Sequence, residues 1–275
     1  MSRVLLLVCA VVMLFAAGIS GASAKTKGKK KMLLVAHRGE SYIAPENTLA
    51  AFNQAWKTGV PGVELDCYLT KDNKIICMHD GNTKRTSGVD MVVKNSDSQD
   101  LRKLDVGKWK GDKYTGEKMP FISEALATIP KGGVLFCEIK CGPEIMPFLR
   151  DELDKSGKRS QVTIISFGLD VCAAAKKMMP DLQVYYLSSP GKDAEGKQKP
   201  YGDNIIKACL ENNLDGLNIE YRKVTKEYVD QVKAAGLKMY VWTCDDANEA
   251  KRLVEAGVDG ITSNRAAWLA QQLGK

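Results

Sequence analysis

Short apolar runs of strand length alternate with helix-like stretches along nearly the whole chain, and this rhythm limits the fold more than any other feature. Candidate strands lie at 33–36, 63–68, 75–78, 134–139, 162–166, 183–187, 216–219, 238–242 and 260–262. Helical patterns fall between most of them, at 47–57, 143–156, 169–179, 204–212, 226–235 and 247–255. "AAGLKMYVW" and "EAGVDGI" each close a helix at glycine and start a strand soon after, as helix-to-strand connections do. Repeated strand–helix units predict parallel strands with right-handed crossovers. At 275 residues, a (βα)8 barrel, the TIM-barrel fold, accommodates that repeat count. A doubly wound open sheet is the alternative, but no Gly-x-Gly-x-x-Gly opens a helix here. Between 81 and 132 the rhythm lapses, and the polar, lysine-rich turns there predict a small insertion over the barrel mouth after the second strand region.

The start of the chain has a different character. Arg3, the apolar run "VLLLVCAVVMLFAAGI" and the small residues before Lys25 read as a signal peptide over 1–24, cleaved near Ala24. The expectation is therefore an exported protein, periplasmic or secreted, with the barrel domain over 32–275 and no stable membrane span after cleavage. The net charge of +7 comes partly from the lysines of 25–31, read as a solvated basic tail. No aromatic residues interleave with those lysines, so nucleic acid is not an expected partner. Seven cysteines remain beyond the leader, an odd number without metal-type spacing, which predicts buried free thiols. Nothing in the sequence sets the oligomeric state.

The chemistry concentrates at predicted strand ends. The chain has only two histidines. His37 and Arg38 follow the first strand, at the barrel face where active sites assemble. His79 and Asp80 follow another strand. Glu64 and Asp66 are two apart in a strand and so share a side; two carboxylates in an otherwise apolar strand are costly unless a cation holds them. Oxygen ligands of this kind suit Ca²⁺, Mg²⁺ or Mn²⁺. Glu138 and Lys140 again share a side near a strand end, offering a third ligand and a cation for an anionic group. Any one of these residues alone could be structural. All of them together at strand ends point to a site.

The set "AHRG…APENTLAAF…GVELDCYLTKDNKIICMHD…CEIK", continuing into "ISEAL", "MYVWTCDD" and "GVDGITSN", resembles the glycerophosphodiester phosphodiesterase family over about 32–266. The resemblance implies a (βα)8 barrel with a small insertion. It implies hydrolysis of small glycerophosphodiesters to sn-glycerol 3-phosphate and an alcohol. In that reading His37 and His79 are the catalytic pair and Glu64, Asp66 and Glu138 hold one divalent cation. Arg38 and Lys140 contact phosphate, Trp242 packs against the glycerol moiety, and Glu46 lies near the metal or one layer out. The family also implies attack by the substrate's own 2-hydroxyl, giving a cyclic phosphate that water then opens. Cys67 and Cys77 stand where the family commonly has aliphatic residues, and Asn264 where it often has Asp; the latter bears on the last loop. Two other readings compete: a phospholipase D-like barrel acting on intact lipids, with Trp109 and Tyr114 in a lysine-rich rim, and a barrel that binds phosphodiesters without turnover.

Overall fold

The computed structural model describes residues 32–275; the expected leader and basic tail lie outside the described residues. Nine strands form one sheet: β1 (Leu33–Ala36), β2 (Gly62–Leu69), β3 (Ile75–Cys77), β4 (Val134–Ile139), β5 (Val162–Ser166), β6 (Gln183–Ser188), β7 (Gly216–Glu220), β8 (Lys238–Trp242) and β9 (Gly260–Ser263). β1 pairs in parallel with both β2 and β9, which closes the sheet. Eight strands make the barrel, a (βα)8 fold, and β3 stands outside it.

The ring of helices comprises α1 (Leu49–Lys57), then, past two short helices α2 (Lys84–Ser87) and α3 (Ser98–Leu101), α4 (Ile122–Ala127), α5 (Met146–Ser156), α6 (Leu169–Met178), α7 (Asn204–Glu211), α8 (Lys226–Ala234), α9 (Ala247–Ala256) and α10 (Ala266–Gln272). Residues two apart along a strand face the same way. Val35, Phe136, Ile165, Tyr185 and Leu187 thus fill the barrel interior, joined by Tyr240, which stacks on Tyr185 at 5.2 Å between centroids. The interior is a packed plug beneath the mouth, as in barrels whose sites assemble at the C-terminal face.

β3 is the one of the nine candidate strands that lies outside the eight-stranded barrel. It runs antiparallel to the outer half of β2, with Cys67 opposite Cys77. Its residues are all buried, as a barrel strand's would be, so apolarity alone does not separate the two. Ile75 and Cys77 join the main core, whereas Ile76, with Met78 just past the strand, packs on Val93, Leu101, Val106 and Met119 in a small core of the insertion. The excursion therefore begins earlier than residue 81. It also ends earlier than 132, because α4 packs against α1 and α5 as a member of the ring. The helix expected from Asn47 starts at Leu49, capped by the Thr48 hydroxyl on the Ala51 amide. Asn47 is left with φ of 56° and another task.

Candidate active site

Glu64 and Asp66 from β2 and Glu138 from β4 meet at the mouth. Asp66 and Glu138 are directly opposite in the pairing of the two strands. One oxygen from each of the three carboxylates lies within 4.8 Å of the others, and all three side chains are buried. Burial, then Asp66, then Glu138 push the Glu64 carboxyl well above its ordinary value. Burial and Asp66 raise Glu138 to about 7, against the pull of Lys140. Glu64 Oε1 and Asp66 Oδ1 are buried with no hydrogen-bond donor. Buried carboxylate oxygens without donors are costly, and an all-oxygen set of this size fits a hard divalent cation.

Cations ring the cluster. Lys140 Nζ is 2.7 Å from Glu138 Oε1 and 3.6 Å from Asp66 Oδ1. Arg38 Nε is 3.2 Å from Asp66 Oδ2, and its Nη1 donates to Glu46 Oε1 at 2.9 Å. The Arg38 backbone sits at φ 55°, a region that non-glycine residues seldom occupy. That turn aims its N–H at Glu64 Oε2, 2.7 Å away. Gly39 follows at φ 79°, where an added Cβ would meet the Ala51 backbone at 2.5 Å. The glycine of "HRG" is thus required by the close approach of α1.

The two histidines line the same cavity. His37 follows β1, and its Nδ1 is 2.7 Å from Asn264 Oδ1. Its Nε2 is 4.0 Å from Glu64 Oε2. Burial, reinforced by the Arg38 cation, pushes its imidazole down to about 4. His79 stands just past β3, which descends towards the mouth, and its Nδ1 is 2.7 Å from Asp80 Oδ1. Arg85 Nε donates to Asp80 Oδ2 at 2.6 Å and its two terminal nitrogens fork onto Glu46. Burial works against ionisation of Glu46, but Arg85 and Arg38 together hold it down to about 2.

His37, Arg38, Glu64, His79, Glu138, Lys140 and Trp242 line one cavity of about 220 Å³ together with Phe167 and Asn218. Trp242 meets Phe167 edge-on at 5.5 Å and donates its indole N–H to the Asn218 carbonyl. Of the expected site residues, Asp66 lies beneath the cavity lining and Glu46 at its margin, bridging Arg38 and Arg85. A larger groove of about 560 Å³ at the opposite end of the barrel holds Arg159, already tied to Asp154 and Asp181. Size alone does not mark the site.

Four residues were not anticipated. Asn47 clasps Asp66, donating from Nδ2 to the carboxylate at 2.8 Å and accepting the Asp66 N–H at 3.0 Å. Its place in "PENT", just before a helix, was the available signal. Arg85, Asn264 and Asp245 carried none, because their partners are set by the tertiary fold.

A family model described as the glycerophosphoryl diester phosphodiesterase family matches residues 37–267. The chain belongs to this family. A glycerophosphodiester phosphodiesterase of Caldanaerobacter subterraneus subsp. tengcongensis is 34% identical over 239 residues, covering 85% of this chain and 94% of that one. A phosphodiesterase of Oleispira antarctica, solved in complex with the product sn-glycerol-3-phosphate, superposes with a TM-score of 0.80 at 27% identity over 88% of this chain and 97% of that one. A lysophospholipase D of Mus musculus is 25% identical over 268 residues, 84% of this chain and 82% of that one. The chain is accordingly a glycerophosphodiester phosphodiesterase, a hydrolase, built on the barrel described above.

Proposed function

We propose that the protein hydrolyses small glycerophosphodiesters to sn-glycerol 3-phosphate and an alcohol with one divalent cation, Ca²⁺, Mg²⁺ or Mn²⁺, and two acid–base histidines. The observation that carries this reading is the buried trio Glu64, Asp66 and Glu138, with two oxygens lacking donors, at a cavity that His37 and His79 both line. Glu64, Asp66 and Glu138 would hold the cation, which would neutralise phosphate charge and polarise a phosphoryl oxygen. Arg38 offers a fork of donors to the phosphate and Lys140 a point charge. Both histidines bond through Nδ1, to Asn264 and Asp80, so each turns Nε2 to the cavity. One Nε2 takes the proton of the attacking hydroxyl, and the other gives a proton to the leaving alcohol. In the family's route the attacker is the substrate's 2-hydroxyl, followed by water opening the cyclic phosphate. Trp242 and Phe167 give the apolar wall against which the glycerol carbons pack.

Export rests on the pattern of residues 1–24. Among the described residues no helix is long and apolar enough to cross a membrane.

A second reading, activity on lysolipids, is favoured by one feature. Tyr42, Ile43 and Trp109 are exposed near the mouth, where Lys110 bonds the Ser41 carbonyl and Tyr114 the Ile43 carbonyl. A coupled assay for glycerol 3-phosphate release from glycerophosphocholine, run beside choline release from lysophosphatidylcholine micelles, separates the two. The first reading expects release from the soluble diester and little from micelles. Choline release from micelles with none from the soluble diester overturns it.

A further inference from the structure

We propose that Asp245 and Asn264 form a positioning relay that fixes His37 as its Nδ1–H tautomer and keeps the Nε2 lone pair facing the cavity. The tautomer rests on geometry alone; its catalytic meaning rests on the acid–base role proposed for His37.

Asp245 lies on the loop after β8, Asn264 just past β9 and His37 just past β1, so the relay crosses three neighbouring strand ends. Asp245 Oδ1 accepts the Asn264 backbone N–H at 2.8 Å and the Ser263 hydroxyl at 2.8 Å. Its Oδ2 accepts from Asn264 Nδ2 at 2.6 Å. A carboxylate can only accept, so the amide NH₂ of Asn264 must face Asp245 and the amide oxygen must face His37. That oxygen is 2.7 Å from Nδ1 and also accepts the Ser41 hydroxyl at 3.2 Å. An amide oxygen can only accept, so Nδ1 carries the proton.

The backbone holds the parts in place. The His37 N–H donates to Ser263 O and the Tyr42 N–H to Asn264 O, both at 2.9 Å. Arg265 binds the Asp245 carbonyl through Nε and Nη2.

Glu64 Oε2 lies 4.0 Å from Nε2. An Nε2–H tautomer would direct a donor at the carboxylate and leave no lone pair to accept a proton. The bond at one ring nitrogen decides which nitrogen is protonated. Asn264 therefore acts through His37 and is a positioning residue.

The scarcity of histidine makes the test direct. With two histidines in the chain, ¹⁵N-histidine labelling gives two side-chain spin systems, assigned with His79→Gln. Long-range ¹H–¹⁵N correlation at pH 8 on chelator-treated protein should show His37 with Nδ1 protonated and Nε2 bare. Asn264→Ala should move the proton towards Nε2. Asn264→Asp, which keeps an acceptor, should hold it on Nδ1. Asp245→Asn should rotate the Asn264 amide and reverse the tautomer. With glycerophosphocholine, Asn264→Ala and Asp245→Asn should lower kcat about 10–100-fold with little change in KM. Asn264→Asp should recover part of that loss. Finding wild-type His37 as Nε2–H, or an unchanged tautomer in a folded Asn264→Ala, overturns the relay. Full turnover in His37→Ala, with the tautomer as stated, would instead overturn the acid–base reading and leave the relay standing.

Discussion

His37 and His79 offer the same imidazole to one cavity from two different supports. His37 belongs to the barrel. It follows β1, its ring is tied to a residue 227 positions away, and its side chain is 17% exposed. His79 belongs to the insertion. It is 31% exposed and is tied to the next residue, Asp80, which Arg85 holds from five positions further on. The first support is as stable as the closed barrel. The second is as stable as the small core of Ile76, Met78, Val93, Leu101, Val106 and Met119. Glu46 joins the halves, accepting from Arg38 on the barrel side and Arg85 on the insertion side. The site therefore has one half set by strand pairing and one half latched on by a few charged groups.

The most severe way to break this comparison is to remove each imidazole. His37→Ala and His79→Ala should each cost at least ~100-fold in turnover, in line with general acid–base contributions. Near-normal rates for either variant would mean that its support serves packing alone.

The latch is tested next. Arg85→Ala should lower turnover about 10-fold, within the range for residues that orient a catalytic group. Arg85→Lys should fall between, since lysine keeps the charge and loses the fork onto Glu46. Hydrogen exchange should quicken in residues 75–120 and not in β5–β9. Equal loosening of both regions would erase the distinction between them.

The smallest expected effect concerns the barrel side. Burial raises the Glu40 carboxyl to about 7, although the Ala267 N–H donates to it. A raised folded value favours the protonated form. The stability tied to that form is present below the ordinary 4.5 and lost as pH rises through about 7. Glu40→Gln should therefore add about 1 kcal/mol at pH 8, roughly 2–4 °C in Tm, and nothing at pH 4. A fall in Tm at pH 8 would show that Glu40 serves as a carboxylate.

The same division explains what could be read from the chain. Glu64 and Asp66, two apart in "GVELDCYLT", advertise a shared face because a strand's side chains repeat every two residues. His79–Asp80 is a neighbour pair and equally plain. The barrel followed from the repeated units, since each strand's apolar run is long enough to stand out. β3 reads like a barrel strand because both its faces are buried, Ile75 and Cys77 in the main core and Ile76 in the insertion's core. Asn264 looked like a detail of the last loop, and Asp245 like any polar residue after the strand end "MYVWTC". Their use depends on β9 lying beside β1, a pairing made only when the barrel closes.

The central claim is that the buried carboxylates of β2 and β4 hold one cation on which hydrolysis depends. Calorimetric titration of chelator-treated protein with Ca²⁺ or Mg²⁺, with glycerophosphocholine hydrolysis measured on the same samples, tests it most directly. The account predicts one ion per chain and activity rising in step with occupancy. It also predicts proton release at pH 7, because Glu138, held at about 7, and the raised Glu64 must ionise to bind. Full hydrolysis by protein with no ion bound would contradict it.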